Sequence, residues 1–160
     1  MIVNGVSLLQ AAPIKDMVMH KVRGPITSYG LTEAGYDLRI AQQIVFTSKG
    51  IYNDGRFTPG RVSFTLASAV EEFQMPNNLV GIVHDKSTWA RMGLSVFNTV
   101  IEPGFEGGLT LELVYHGRDE LVIPARSGIA QVIFSEIKEP ASYSGKYQGQ
   151  STEPVEAIHG

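Results

Sequence analysis

The chain has 160 residues, which is enough for one domain with a hydrophobic core that needs no covalent cross-links. Its 43% hydrophobic and 18% charged residues are typical of a globular protein, and a formal charge of -3 argues against a broad basic surface for nucleic acid. The absence of cysteine excludes disulfides, thiolate catalysis and every cysteine-ligated metal site.

The N-terminal half predicts one short helix followed by strands. Asn4 can cap a helix that runs through residues 8–9 and ends before Pro13, since proline has no amide donor. Turn signals at 53–55 and 58–60 separate the segments that follow. Those segments show the alternating hydrophobic pattern of β-strands at Leu38, Ile40, Ile44, Phe46, Val62, Phe64 and Leu66.

The C-terminal half predicts further strands and then a tail. A break at 76–78 precedes the apolar run 79–83, and the clearest strands cover 108–115 and 129–134. Many short strands with little helix indicate an all-β barrel or sandwich. From about residue 140, glycine, serine, glutamine and proline dominate, and this composition alone favours a flexible tail.

Glu112 is the first candidate for chemistry. The leucines within 109–113 share one face of their strand, so Thr110 and Glu112 point to the other face. The alternative is an ordinary solvent-facing glutamate on a half-buried sheet. The glycine-rich approach at 103–108 favours a site, because glycine lets a ligand come close to the backbone.

The segment 85–91 is the second candidate. If Ser87 caps one helical turn, Arg91 lies four residues further on the same face. A hydroxyl-rich helix start beside Lys86 offers free amides, a favourable dipole and a cation, which together suit a phosphate group. The alternative is a simple helix cap with surface charges.

The remaining titratable residues show no site pattern. The four histidines, His20, His84, His116 and His159, lack metal-ligand spacing, so none is assigned a role. For Asp37 a buried structural carboxylate is the better interpretation.

We also expect no membrane partner. No apolar run is long enough to cross a bilayer, and residues 1–6 lack the charged-then-apolar order of a secretory signal. The sequence therefore predicts a cytoplasmic protein of a bacterium or of a virus-infected cell.

Five sequence blocks follow one another from about residue 29 to residue 150. The first two are a Tyr-Gly-x-x-x-x-Gly-Tyr-Asp-x-Arg stretch at 29–39 and a Lys-Ser-Thr-x-x-Arg-x-Gly block at 86–93. The third is Glu-Pro-x-aromatic-x-Gly with Thr-Leu-Glu over 102–112. The last two are Gly-Ile-Ala-Gln at 128–131 and Gly-Lys-Tyr-Gln-Gly-Gln at 145–150. Together these blocks resemble the dCTP deaminase family, relatives of the trimeric dUTPases.

The resemblance implies a role for each matching residue. Glu112 falls at the catalytic glutamate, and Ser87 and Arg91 fall where a serine and an arginine support it. Glu102 would take the sugar 3′-hydroxyl, and Phe105 would pack on the deoxyribose. The full implied nucleotide-binding set is Lys86, Ser87, Thr88, Thr99, Val100, Glu102, Phe105, Gln131, Tyr143, Lys146, Tyr147 and Gln150. Within it, Lys86, Ser87, Thr88 and Gln131 would meet phosphates, and Tyr143, Lys146, Tyr147 and Gln150 would belong to a closing tail.

The resemblance also implies an architecture. It predicts a distorted jelly roll or β-barrel of the dUTPase-like type over residues 1–139, with a few short helices, and a tail over 140–160 that covers the nucleotide. Active sites would lie between the subunits of a homotrimer. Mg²⁺ would arrive with the triphosphate, without protein side chains as metal ligands and without zinc.

The implied reaction is conversion of dCTP to dUTP and ammonia. Zinc deaminases take their hydroxide from a metal held by histidine and cysteine, a signature that this cysteine-free chain cannot form. A glutamate would then act first as base and later as acid.

Three alternatives remain open at this stage. One is a bifunctional enzyme that also hydrolyses dUTP and gives dUMP. Another is a deaminase that prefers dCMP or a 5-substituted deoxycytidine nucleotide. The third is a nucleotide-binding regulatory trimer without activity.

Overall fold

The computed structural model describes residues 1–97 and 99–160, and most of its regular structure is β-strand. Two short helices are present in this part of the chain, α1 (Gly5–Ala11) and α2 (Ser87–Ala90). The strands are β1 (Ile2–Val3), β2 (Lys21–Val22), β3 (Tyr29–Leu31), β4 (Tyr36–Arg39), β5 (Ile44–Thr47), β6 (Gly50–Asn53), β7 (Arg56–Pro59), β8 (Phe64–Gln74), β9 (Leu79–Asp85), β10 (Leu94–Val96), β11 (Val100–Ile101), β12 (Glu106–Tyr115), β13 (Leu121–Ile123) and β14 (Gly128–Glu136). The predicted all-β class is confirmed.

The strands form three antiparallel sheets. The largest has seven strands in the order β11-β9-β14-β4-β3-β2, with β1 also paired to β14. A second sheet has the order β10-β12-β8, and a third has the order β13-β5-β6-β7. Because β14 pairs with both β4 and β9, Gln131 lies beside Asp37 on one side and His84 on the other.

The hydrophobic core lies between these sheets, and the alternating pattern predicts much of it. Leu38, Ile40, Ile44 and Phe46 are each at most 2% exposed. The strand prediction is wrong at Val62, which precedes β8, and it holds at Phe64, which is the first residue of β8 but is exposed.

The predicted N-terminal helix is present, but Asn4 does not cap it with its side chain. Asn4 occupies the N-cap position, and its Nδ2 instead donates to the carbonyl oxygen of Glu33 at 2.8 Å. The helix ends at Ala11, and Ala12 adopts a left-handed conformation immediately before Pro13. In the described part of the chain, neither helix has the length and hydrophobicity needed to cross a membrane.

Candidate functional site

Glu112 lies where its strand meets a large cavity. Its neighbours in β12, Leu111 and Leu113, are at most 1% exposed and face the core, as the strand periodicity predicts. Glu112 is half-buried and faces the other way, into a cavity of about 1250 Å³. The cavity is large enough for a small organic ligand, since such pockets are commonly of order 300–1,000 Å³.

The same cavity gathers most of the residues that the sequence assigned to a ligand. Phe105 contributes a buried ring to the cavity wall, and Glu102 lies at its exposed edge. The predicted residues that line the cavity together with Glu112 are Thr99, Val100, Glu102, Phe105, Tyr143, Tyr147 and Gln150.

The glycine-rich segment beside Glu112 receives the C-terminal tail. The Gly108 amide donates to the Gln150 carbonyl oxygen at 3.0 Å, and Gln150 Nε2 donates to the Gly108 carbonyl oxygen at 2.7 Å. A Cβ atom on Gly108 would stand 2.2 Å from the carbonyl oxygen of Ser151. Glycine is therefore required here because the chain's own backbone lies against it.

The tail forms one wall of the cavity, contrary to the flexible tail that its composition favours. The Tyr143 ring packs edge-on against Phe105 with centroids 5.9 Å apart. Further along, the Val155 amide donates to Thr110 Oγ1 at 3.0 Å. Residues 153–157 also line the cavity.

A second, smaller cavity of about 250 Å³ gathers three of the four predicted phosphate residues. Lys86, Ser87 and Gln131 all line it. Lys86 Nζ donates to Asp37 Oδ2, and Gln131 Nε2 donates to Thr32 Oγ1 at 2.8 Å. The fourth predicted residue, Thr88, lies exposed on α2 and does not line this cavity.

Helix α2 has the predicted turn but a different cap. Lys86 occupies the N-cap position, Ser87 is the first helical residue, and no side chain caps the turn. The Arg91 amide donates to the Ser87 carbonyl oxygen at 3.0 Å, so these two residues are one turn apart as expected. Trp89 fixes the turn because its buried Nε1 donates to the Gly128 carbonyl oxygen at 2.7 Å.

Within one chain, the predicted catalytic residues do not all meet. Glu112 lines the large cavity and Ser87 lines the small one. Arg91 is exposed at the end of α2 and lines neither cavity. Lys146 also lies outside the large cavity, and its Nζ donates to the carbonyl oxygen of Ile158.

Burial changes the acidity of two carboxyl groups at these cavities. Loss of solvent raises the pKa of Glu112 above its ordinary value, against a smaller opposing effect of a backbone hydrogen bond. Burial also raises the pKa of Asp37, and the Lys86 ammonium opposes this increase. A carboxyl group whose ionised form is disfavoured by burial in a cavity is a candidate for proton exchange with a bound ligand.

The small cavity contains carboxylate side chains, which are common ligands of divalent cations in proteins. In the part of the chain that the structure describes, no three histidine or acidic residues are arranged to hold a metal ion. Glu33, Asp37 and Asp85 line this cavity; Glu33 pairs with Lys21 at 3.5 Å, Asp37 pairs with Lys86, and Asp85 Oδ1 accepts the Val96 amide at 2.7 Å. Mg²⁺ that arrives with a triphosphate stays a prediction from the resemblance.

Sequence reasoning missed two contacts. Asp37 is buried as predicted, but its partner Lys86 is 49 residues away, and no local pattern connects a strand residue to a helix start. Val155 was missed because its contact with Thr110 uses a backbone amide, which every residue except proline carries.

Comparison with known proteins gives consistent similarities. A family model described as dCTP deaminase-like matches residues 45–137. A dCTP deaminase from Chloroflexus aggregans is 35% identical, over 89% of this chain and 88% of the relative. One from Herpetosiphon aurantiacus is 38% identical, over 86% of each chain.

Solved structures support the architecture. A mutant dUTPase from phage phi11 of S. aureus, in a structure that describes the coordination of a structural Mg(II) ion, superimposes with a TM-score of 0.54. The two chains are 15% identical, and the match covers 82% of this chain and 92% of the other. At this identity the likeness shows the fold, which is of the dUTPase type.

Proposed function

This chain belongs to the dCTP deaminase-like family, and from that membership we propose that it hydrolyses dCTP to dUTP and ammonia. The observation that carries the proposal is the half-buried Glu112 at a cavity that also holds Phe105 and the tail tyrosines. A cavity of this size accommodates a deoxynucleoside beside the carboxylate.

Glu112 exchanges the protons of the reaction. As a base it takes one proton from a water molecule while the water oxygen bonds to C4 of the cytosine ring, and it passes this proton to N3, whose double bond to C4 becomes a single bond. Glu112 then takes the proton of the new C4 hydroxyl group and gives it to the amino nitrogen. The C4–N4 bond breaks, ammonia leaves, and C4 becomes a carbonyl carbon of uracil. Positioned proton transfer of this kind contributes roughly 10²–10⁴-fold in rate.

Ser87 and Arg91 complete the site from a neighbouring subunit of a homotrimer. Ser87 begins α2 and Arg91 follows its last residue, and both are exposed and lie outside the large cavity of their own chain, which suits contact with another copy. Arg91 would hold the Glu112 carboxylate through a charge-assisted hydrogen bond. Ser87 would steady the water or the intermediate.

The phosphates occupy the small cavity, and the sugar lies near Phe105. Lys86, Ser87 and Gln131 line the small cavity, with Thr88 on the same helix. Glu102 would accept the 3′-hydroxyl. Bound Mg²⁺ would neutralise part of the triphosphate charge, and its ligands would come chiefly from the phosphates. The phage dUTPase structure with Mg(II) supports an ion in this fold.

The chain would divide into the β domain, residues 1–139, and the tail, residues 140–160, as a cover over the nucleotide. The tail contacts with Phe105, Gly108 and Thr110 support this division. Tyr143, Tyr147 and Gln150 already line the cavity. Lys146 would need to exchange its contact with Ile158 for a phosphate.

The direct test is incubation of the protein with dCTP and Mg²⁺, followed by assays of ammonia, dUTP and pyrophosphate. We expect equal amounts of ammonia and dUTP without pyrophosphate. Pyrophosphate with dUMP would instead identify a bifunctional enzyme. Binding without any product would identify a regulatory nucleotide-binding trimer and would contradict the proposal.

A further inference from the structure

The end of the chain, beyond the last predicted nucleotide residue Gln150, returns to the strand that carries Glu112. The Val155 amide donates to Thr110 Oγ1 at 3.0 Å, across 45 residues of sequence. Pro154 precedes the donor and restricts the backbone there. This contact joins the distal tail to the cavity face of β12.

Thr110 is placed so that this contact bears on the site. It lies two residues before Glu112 on the same face of β12, and both line the large cavity. Thr110 is 9% exposed, so its hydroxyl has little access to solvent. A buried hydroxyl requires a partner, and the Val155 amide supplies one from the tail.

Contacts on either side guide the tail towards Thr110. Gly108 and Gln150 exchange two hydrogen bonds, which bring residues 151–152 against β12. After Val155, the Ile158 amide donates to the Tyr147 hydroxyl at 3.2 Å. The Val155 contact therefore lies in the middle of a segment that is held at both ends.

We propose that Thr110 is a positioning residue that latches the C-terminal segment 153–157 over the cavity by accepting the Val155 amide. The inference rests on the proposed deaminase function. Closure of this wall holds the bound nucleotide and excludes bulk water from the Glu112 carboxylate. Thr110 acts through the tail and makes no contact with the reacting atoms.

Two substitutions remove the same hydrogen bond from opposite ends. Thr110→Val removes the acceptor while keeping the side-chain shape, and Val155→Pro removes the donor. Each should raise KM for dCTP about 2–10-fold, the value expected for one neutral hydrogen bond, while kcat stays near that of the parent protein. Limited proteolysis should cut the tail faster in both variants.

Matched control variants distinguish loss of the Thr110–Val155 hydrogen bond from a change in side-chain packing. Thr110→Ser keeps the hydroxyl and should restore KM, and Val155→Ala keeps the amide and should leave KM unchanged. The double variant Thr110→Val/Val155→Pro should be no worse than the more affected single variant, because both remove one shared interaction. If Thr110→Val fails to fold, Val155→Pro against Val155→Ala tests the latch alone.

Two results would overturn the latch. One is an unchanged KM in Val155→Pro. The other is a double variant in which the two single effects on KM multiply, which would mean that Thr110 contacts the nucleotide directly. These failures are distinct from failure of the proposed function, in which the parent protein itself releases no ammonia from dCTP.

Discussion

Asp37 accepts a hydrogen bond from Lys86 at the base of the small cavity, and the two side chains are only 4% and 14% exposed. Lys86 is also a predicted phosphate ligand, so Asp37 positions the Lys86 ammonium group that the phosphates would contact. Replacing Asp37 by Asn leaves a mostly buried ammonium without its counterion. We expect the free energy of unfolding to fall by about 3 kcal/mol, measured by denaturant titration.

The matched control for Asp37→Asn removes both charges. Asp37→Leu with Lys86→Met should regain most of the lost stability, since apolar replacement of a whole buried ion pair is often neutral or favourable. An unchanged free energy of unfolding in Asp37→Asn would show that the pair is not coupled in the folded protein.

Gly108→Ala tests whether the tail lies against β12. The new Cβ atom would stand 2.2 Å from the Ser151 carbonyl oxygen and 2.7 Å from the Thr152 Cα, so the tail must move. We expect a loss of about 1–3 kcal/mol in stability and faster proteolysis of the tail. In a chain that ends at Gln150 the same substitution should cost little, and an equal cost in both chains would contradict this placement.

Much of the fold could be predicted because its strands have regular patterns. The strand predicted over 108–115 corresponds to β12, and 129–134 falls within β14. The exposure of Val62 and Phe64 around the start of β8 could not be predicted, because both residues are hydrophobic. Asn4 has the right residue type for a cap, yet its side chain bonds to distant Glu33.

The site could be predicted only in part, because sequence motifs identify residues without giving their partners. Glu112, Phe105 and Tyr143 share one cavity as expected. Ser87 and Arg91 lie outside that cavity, and the site shared between subunits that the resemblance implies stays a prediction. The hydrogen bonds of the tail could not be predicted because each of those described above involves at least one backbone group, which carries no sequence pattern.

A shared site predicts complementation between two inactive variants. Glu112→Gln and Arg91→Gln should each lose turnover as pure proteins. When equal amounts are unfolded together and reassembled, about a quarter of the interfaces between subunits should carry both native residues. The rate of ammonia release should recover in proportion to this fraction of intact interfaces. If mixing restores nothing while mixed trimers form, the two residues do not share a site.

The pH dependence should report on the contact between Arg91 and Glu112. Burial raises the pKa of Glu112, and the partner subunit's Arg91 would lower it by stabilising the ionised form. The base must be ionised in the free enzyme, so kcat/KM falls as pH drops through this pKa. Arg91→Gln should therefore move the acid limb to higher pH, whereas Arg91→Lys should move it less. An acid limb that stays in place in Arg91→Gln would contradict the contact.

The most direct test of Glu112 as the proton-transferring group compares the parent protein with Glu112→Gln in the presence of dCTP and Mg²⁺. Glutamine keeps the shape of the side chain but cannot accept the proton from water. We predict that ammonia release falls by at least about 10²–10⁴-fold, while the dissociation constant for dCTP changes little. Normal ammonia release from Glu112→Gln would contradict the assignment.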